Sequence, residues 1–340
     1  MNNQIKPEHV NYQFNPELSF VRPDWPGNPV INGRFYNDAV VEPPVFWELW
    51  RWKFSRNPQG KEKKREKYSV PVLPSIPDLQ GGDKLIWLGH SAFFIRLGGV
   101  NFLTDPCLYK ISLIKRHVQT PFDPDLLRGI DYLLISHDHR DHIQLEAIEF
   151  LAKNNPNMQM LAPLNASRIF RSRLNSGVIR KMHIQEAGWY QHYKTRPDIE
   201  VIFFPAKHWG RRFLTDYNKT LWGSFFIRAK EKTLFFGGDT AYSEIFKDIH
   251  KITGDIDTCL LPISAYAPDY IMARSHATPE EAVTIFDMLG GRRFIPTHYG
   301  TYDLSNEPLG EPIRRLKACF SEQNKMETLV SPAVGEVVPL

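Results

Sequence analysis

Cysteine is scarce in this chain of 340 residues: Cys107, Cys259 and Cys319 are all it has. An odd, widely spaced set builds no disulfide framework, and no pair has the spacing of a metal knuckle. The expectation is therefore a protein of a reducing compartment. A charge excess is lacking too. The 42 basic and 38 acidic residues leave a net charge of +4, too even a balance to make nucleic acid the main partner. An anionic substrate or surface stays compatible with it. Long apolar runs are also missing. Residues 1–10 are polar and lack the apolar centre of a signal peptide, and no stretch approaches the roughly 20 residues of a membrane span. The expected location is the cytoplasm, with peripheral membrane contact left open. What is present is a globular composition, 42% hydrophobic and 24% charged, in a chain long enough for one large domain with an appendage.

Residues 1–82 show little periodic patterning but many prolines, among them Pro23, Pro26, Pro29, Pro43, Pro44, Pro71, Pro74 and Pro77. That density suits an extended N-terminal arm wrapping a core domain over 83–340. One helix is predicted in the arm around 44–55. It contains Phe46, Trp47, Trp50, Trp52 and Phe54, and a basic run over 61–67 follows. Packing of Phe46 and Trp50 onto the core is the favoured reading, with a membrane-facing helix as the other. From Lys84 the texture changes. Strands are predicted over 84–88, 92–97 and 100–104, with Gly98-Gly99 at a hairpin, and over 131–136 as a continuous apolar run. Others are predicted over 200–205, 221–227, 233–236, 258–262 and 293–296. Helices are predicted around 144–153, 167–174 and 312–322. One more begins at Thr278, where Thr278-Pro279-Glu280-Glu281 has the makings of a capping box.

The strand over 131–136 runs into His137-Asp138-His139-Arg140-Asp141-His142. Neutral imidazoles and carboxylates are natural ligands of zinc and similar ions. His137 and His139 can point to one side of a tight loop while Asp141 and His142 reach a second ion. Three further candidates, His208, Asp239 and His298, each follow a short apolar strand, where loops can gather a site on a rigid scaffold. Together these residues make a set of seven ligands. His90 lies in a similar context but reads better as a structural histidine than as a ligand. His9, His117, His183, His192 and His250 have no such context.

This run followed by isolated His, Asp and His resembles the metal signature of the metallo-β-lactamase superfamily. The likeness is closer to its N-acylphosphatidylethanolamine-hydrolysing phospholipase D branch. It rests on Trp87-Leu88-Gly89-His90-Ser91, Leu103-Thr104-Asp105-Pro106, Pro205-Ala206-Lys207-His208-Trp209, Leu221-Trp222-Gly223-Ser224, Gly237-Gly238-Asp239-Thr240 and His298-Tyr299-Gly300-Thr301. The resemblance implies a four-layer αββα sandwich of two mixed β-sheets with the site at its mouth. It also implies two divalent metal ions, zinc by expectation, one on His137, His139 and His208 and the other on Asp141, His142 and His298, with Asp239 shared. It makes Asp105 an orienting partner of a ligand imidazole, Asp141 and His276 catalytic, and a homodimer the expected assembly. The activity it implies is phosphodiester hydrolysis by hydroxide on an N-acylphosphatidylethanolamine-type or related substrate. The alternatives are a small-molecule hydrolase such as a sugar-phosphate lactonase, and a non-catalytic metal-binding scaffold. Arg211 and Arg212 could meet a phosphate or form surface salt bridges. Tyr266, Pro268, Tyr270 and Met272 could line an acyl pocket or form an ordinary packed loop.

Overall fold

The computed structural model describes residues 10–37, 46–74, 78–173 and 177–340. His9, Pro43, Pro44, Pro77 and Leu174 lie outside these residues, as does the Phe46 side chain on which one expected contact depended.

The arm is more structured than its sequence promises. β1 (Asn11–Gln13), β2 (Asn28–Ile31) and β3 (Arg34–Phe35) pair as a small antiparallel sheet. Strands of two to four residues carry too few side chains to show a period. Leu18, Val30, Phe35 and Val70 are buried in the main core. Two helices follow, α1 (Phe46–Phe54) and α2 (Gly60–Arg65), the latter formed by the basic run. The expected packing of Trp50 is overturned. Trp50 is 44% exposed, between Trp47 at 64% and Phe54 at 71%, with successive ring centroids 4.9 and 5.1 Å apart. The rings cover one another along this exposed face.

The core begins with β4 (Lys84–Gly89), β5 (Ala92–Leu97), β6 (Val100–Thr104), β7 (Tyr132–Leu134), β8 (Gln159–Pro163) and β9 (His183–Ala187). These six form one sheet in chain order, antiparallel from β4 to β6 and parallel from β6 to β9. The second sheet follows, also in chain order: β10 (Gln191–His192), β11 (Ile199–Phe204), β12 (Ser224–Ala229), β13 (Lys232–Phe236), β14 (Thr258–Pro262) and β15 (Phe294–Thr297). It too begins antiparallel and ends parallel. The last strand, β16 (Val337–Pro339), crosses back to pair antiparallel with β4, making the first sheet seven-stranded.

Side-chain alternation explains the layering. Leu85, Trp87, Phe93 and Ile95 enter the core between the sheets. Their neighbours Ile86, Leu88, Ala92 and Phe94 enter a second cluster with residues of α3 (Leu145–Asn154), α4 (Ser167–Arg173) and α5 (Gly177–Lys181). Strands buried on both faces need apolar residues at every position, and these have them. The outer face of the second sheet is covered by α6 (Ile245–Thr253), α8 (Pro279–Met288) and α9 (Glu311–Glu322), which bring Phe246, Ile249, Val283, Phe286, Leu316 and Phe320. The short α7 (Asp269–Met272) precedes α8. The result is the expected αββα sandwich. The hairpin between β5 and β6 turns at Gly98 and Gly99, with φ of +58° and +79°, the conformation a two-residue turn demands. The capping box forms: Thr278 Oγ1 accepts from the Glu281 N–H at 3.2 Å, and Glu281 Oε2 accepts from the Thr278 N–H at 2.9 Å.

Candidate metal centre

Both sheets deliver chemistry to one end of the sandwich. From the first, His90 follows β4, Asp105 follows β6, and the run His137–His142 begins just past β7. From the second, His208 lies past β11, Asp239 past β13, and His298 directly after β15. The structure brings all seven sequence-predicted ligands together in two groups. In the first, ligand atoms of His137, His139, His208 and Asp239 lie within 4.8 Å of one another; in the second, those of His90, Asp141, His142 and His298 do. Asp239 joins them. Its Oδ2 lies 3.0 Å from His298 Nε2, 3.2 Å from His142 Nε2, 3.8 Å from His137 Nε2, and 4.0 Å from both His208 Nε2 and His276 Nδ1. His139, Asp141 and His276 keep partial exposure while the others are buried, so the site opens on their side. His117, His183, His192 and His250 belong to no metal-holding group among the described residues.

The backbone is bent to make this convergence. His90, Asp105 and His298 have φ of +55°, +29° and +66°, conformations that cost L-residues energy and gather at functional sites. Gly238, at φ +59°, lets the chain pass so close to Ser136 that a Cβ would meet the Ser136 Cβ at 2.7 Å. Asp239 reaches the centre because that side chain is absent.

Hydrogen bonds fix how the imidazoles face. Asp105 accepts from the Ser136 N–H at 2.8 Å, the Ser136 hydroxyl at 2.6 Å and His142 Nδ1 at 2.7 Å. His142 is thereby held with Nε2 toward Asp239, as an orienting partner should do. Asp105 also falls near His137 and His142 in a third possible group, but those bonds already commit its oxygens. His208 donates from Nδ1 to the Ser275 carbonyl at 2.9 Å, leaving the Nε2 lone pair turned inward, 3.2 Å from His139 Nδ1. With the His139 proton on Nε2, two lone pairs face each other there; with it on Nδ1, the contact is a hydrogen bond that metal binding would replace. An ion between them would resolve the contact.

The buried polar atoms test whether a metal fits. His137 Nε2, His139 Nε2, His142 Nε2, His298 Nε2, His276 Nδ1 and Asp239 Oδ1 are buried without a hydrogen-bond partner. Unpaired buried polar atoms are rare in proteins, and six gathered here, five of them imidazole nitrogens, are what a cation would satisfy. Charge agrees. Burial, with the neighbouring imidazoles, drives His137 well below its ordinary pKa; His208 is similarly depressed. Burial likewise takes His139 down to about 4. At His298, the Asp239 and Asp141 carboxylates outweigh burial and raise the pKa to about 9. His142 is raised on the same grounds. Without an ion, protonated imidazoles are the cations that balance Asp141 and Asp239, both held well below the ordinary carboxylate range by those histidines against the opposing effect of burial.

The family follows from comparison with known proteins. Residues 100–299 match the model of the beta-lactamase superfamily domain. The chain is 30% identical over 264 residues, 74% of each chain, to N-acyl-phosphatidylethanolamine-hydrolyzing phospholipase D 1 of Caenorhabditis elegans. The chain belongs to the metallo-β-lactamase superfamily. Within it the chain falls in the branch of the N-acylphosphatidylethanolamine-hydrolysing phospholipases D. The mitochondrial enzyme of that name from Saccharomyces cerevisiae is 30% identical over 262 residues, which make up 74% of this chain and 54% of that protein. An isothiocyanate hydrolase from Delia radicum gut bacteria superposes with a TM-score of 0.60 at 16% identity, over 76% of this chain and 98% of that one, and shares the fold. The superfamily is one of metal-dependent hydrolases, and the His and Asp groups above are its candidate metal sites in this chain.

The structure decides several residues that the sequence left between two readings, and adds one it did not single out. His90 is more engaged than expected: its Nε2 lies 3.2 Å from Asp141 Oδ2 and its ring centroid 4.1 Å from that of His298. Its position after an apolar strand was the available signal. Arg116 gave none. It donates to the carbonyls of Leu88 and Cys107 and to the Tyr302 hydroxyl, bracing the turn behind His90. Arg212 donates to the Ile143 carbonyl at 2.9 Å and so braces the ligand loop, and Arg211 lies 5.2 Å over the Trp209 ring. Tyr266 is packed, its hydroxyl 2.8 Å from Glu311 Oε1 under the Arg315 guanidinium. At that position the loop is an ordinary packed one.

Proposed function

We propose that the chain is a two-metal phosphodiesterase acting on N-acylphosphatidylethanolamine or a related phosphodiester. The observation that carries this reading is Asp239 Oδ2, within 4.0 Å of four imidazole nitrogens drawn from both groups and of His276 Nδ1. His137, His139 and His208 would hold one ion and Asp141, His142 and His298 the other, with Asp239 between; zinc suits this donor set. Two such ions supply Lewis acidity, bringing a water pKa to about 7 and offsetting charge on phosphate oxygens.

The chain's own residues supply orientation. Asp141, held by His90, faces the open side of the centre and positions the attacking water. His276, its Nδ1 unpartnered and its ring 5.5 Å from that of His298, hydrogen-bonds the phosphate or the departing oxygen. Its placement is rigid, since its N–H bonds the Met272 carbonyl and the capped start of α8 follows. The lipid character of the substrate is supported by the names of the two phospholipase D relatives and by α1. That helix joins the segment bearing His276 through Glu48 and Arg274, at 2.6 and 3.2 Å, and through Arg51, 5.0 Å over Tyr270. Its exposed Trp47, Trp50 and Phe54, with exposed Arg51, Lys53 and Arg56, suit peripheral contact with an anionic bilayer.

The test is hydrolysis of a matched panel by metal-loaded protein: N-acylphosphatidylethanolamine, aryl phosphodiesters and sugar-phosphate lactones, with Asp239→Asn as blank. Lipid turnover absent from the blank supports the assignment. Turnover of lactones alone would replace it with the lactonase reading.

A further inference from the structure

A cavity of about 490 Å³ lies between the arm and the loops that follow β11 and β13, the loops that also carry His208 and Asp239. Its volume is within the roughly 300–1,000 Å³ of small-molecule sites, and none of the metal-centre histidines or aspartates lines it. We propose that this cavity binds a planar aromatic anion that carries one hydrogen-bond donor.

The polar requirements come from two lining atoms. Trp25 Nε1 and Asn37 Oδ1 are buried and have no hydrogen-bond partner. The orientation of the Asn37 amide is fixed, because Nδ2 donates to the Ala206 carbonyl at 3.1 Å. The cavity therefore presents one donor and one acceptor, both unused, and a bound molecule must offer the complement. Buried polar groups are nearly always satisfied, so their conjunction in one cavity points to a ligand.

The aromatic requirement comes from the walls. Trp25 meets Tyr190 edge-on with centroids 4.9 Å apart, and the Arg22 guanidinium lies 5.5 and 5.4 Å from the two rings. Flat, polarisable surfaces of this kind favour a flat partner. The sign of the charge comes from counting partners. Lining residues Glu244 and Asp248 are matched by Lys247 at 2.5 Å and Lys251 at 2.7 Å, and Arg22 by Asp24 at 3.4 Å. Among the described residues Lys207 has no ion-pair partner, so the uncompensated charge in the lining is positive.

The probe is 2-anilinonaphthalene-6-sulfonate, an anion with a flat naphthalene ring and one free N–H, titrated by fluorescence into the full chain. Saturable binding at one site is expected, weakened about tenfold or more in Lys207→Gln and in Trp25→Leu, as loss of a charge-assisted contact or a stacking wall requires. Phenylnaphthylamine, which lacks the sulfonate, is expected to bind at least about tenfold more weakly. The affinity should persist in a Trp47→Ser/Trp50→Ser variant, which removes the exposed ring stack on α1. The proposal is overturned if no saturable binding occurs, if Lys207→Gln binds as the wild type does, if the neutral probe binds equally well, or if binding disappears with Trp47 and Trp50. Lys207→Gln alters one partly exposed side chain, so the test stands even where Trp25→Leu disturbs the arm.

Discussion

Asp105→Asn separates the orientation of a ligand from its mere presence. The carboxylate accepts three hydrogen bonds, one at Oδ1 from the Ser136 N–H and two at Oδ2 from the Ser136 hydroxyl and His142 Nδ1. Asparagine keeps the shape and loses one acceptor. With its amide nitrogen in place of Oδ2, a donor meets the His142 Nδ1 proton. The imidazole can then relax only by carrying its proton on Nε2, which removes the lone pair that faces Asp239. With the amide turned over, the Ser136 N–H is left unpaired instead. Either arrangement costs about 1–3 kcal/mol for a buried group without a partner. Loss of such an orienting bond lowers metal affinity by about 10–100-fold, or about 1.4–2.7 kcal/mol, so the two estimates agree. Competition against a chromophoric chelator measures it, with circular dichroism as the check on folding. Two binding steps are expected, with the one assigned to His142 weakened by that factor. Wild-type affinity at both steps in a folded Asp105→Asn protein would refute the reasoning.

Three other outcomes follow from the structure. Gly238→Ala places a Cβ at 2.7 Å from the Ser136 Cβ in a left-handed conformation; about 1–2 kcal/mol of backbone strain and 1–3 of overpacking should appear in denaturant unfolding, and wild-type stability would show that the chain near Asp239 is not closely packed. Chelation of divalent ions should lower Tm by a few degrees, since an ion at about 100 times its Kd stabilises the fold by about 2.7 kcal/mol. Asp239→Asn should show a smaller shift, and an unchanged wild-type Tm would contradict the metal centre. Trp47→Ser/Trp50→Ser should reduce flotation with anionic vesicles while shifting stability by no more than about 0.5 kcal/mol, the usual range at exposed positions; undiminished flotation would remove α1 from the membrane reading.

Legibility in the sequence followed the strength of the local signal. β5, β6 and β14 match their predicted bounds because each is a buried apolar run closed by turn residues. The strand predicted over 221–227 begins later, at Ser224, because Gly223 sits where a Cβ would meet the Phe204 carbonyl at 2.2 Å, a contact no local pattern records. β8, β9 and α6 went unread: β9 keeps a polar residue among its buried ones, and α6 has no side-chain cap, although Ile245, Phe246, Ile249 and Ile252 carry a helical spacing that was there to be read. The seven candidate ligands were legible because ionisable residues clustered after apolar strands are unusual. Arg116 was not, since its role depends on carbonyls of Leu88 in β4 and of Cys107 in the loop after β6.

The return of the last strand also sets a schedule. β4 is made early, but its outer neighbour β16 emerges only roughly 250 residues later, about 12–50 s of synthesis at 5–20 residues per second. Throughout that interval the nascent first sheet has a bare margin of backbone donors and acceptors along β4, a template for wrong partners. Slow elongation prolongs the exposure of this margin, and a change that weakens the pairing of β16 with β4 prolongs it further.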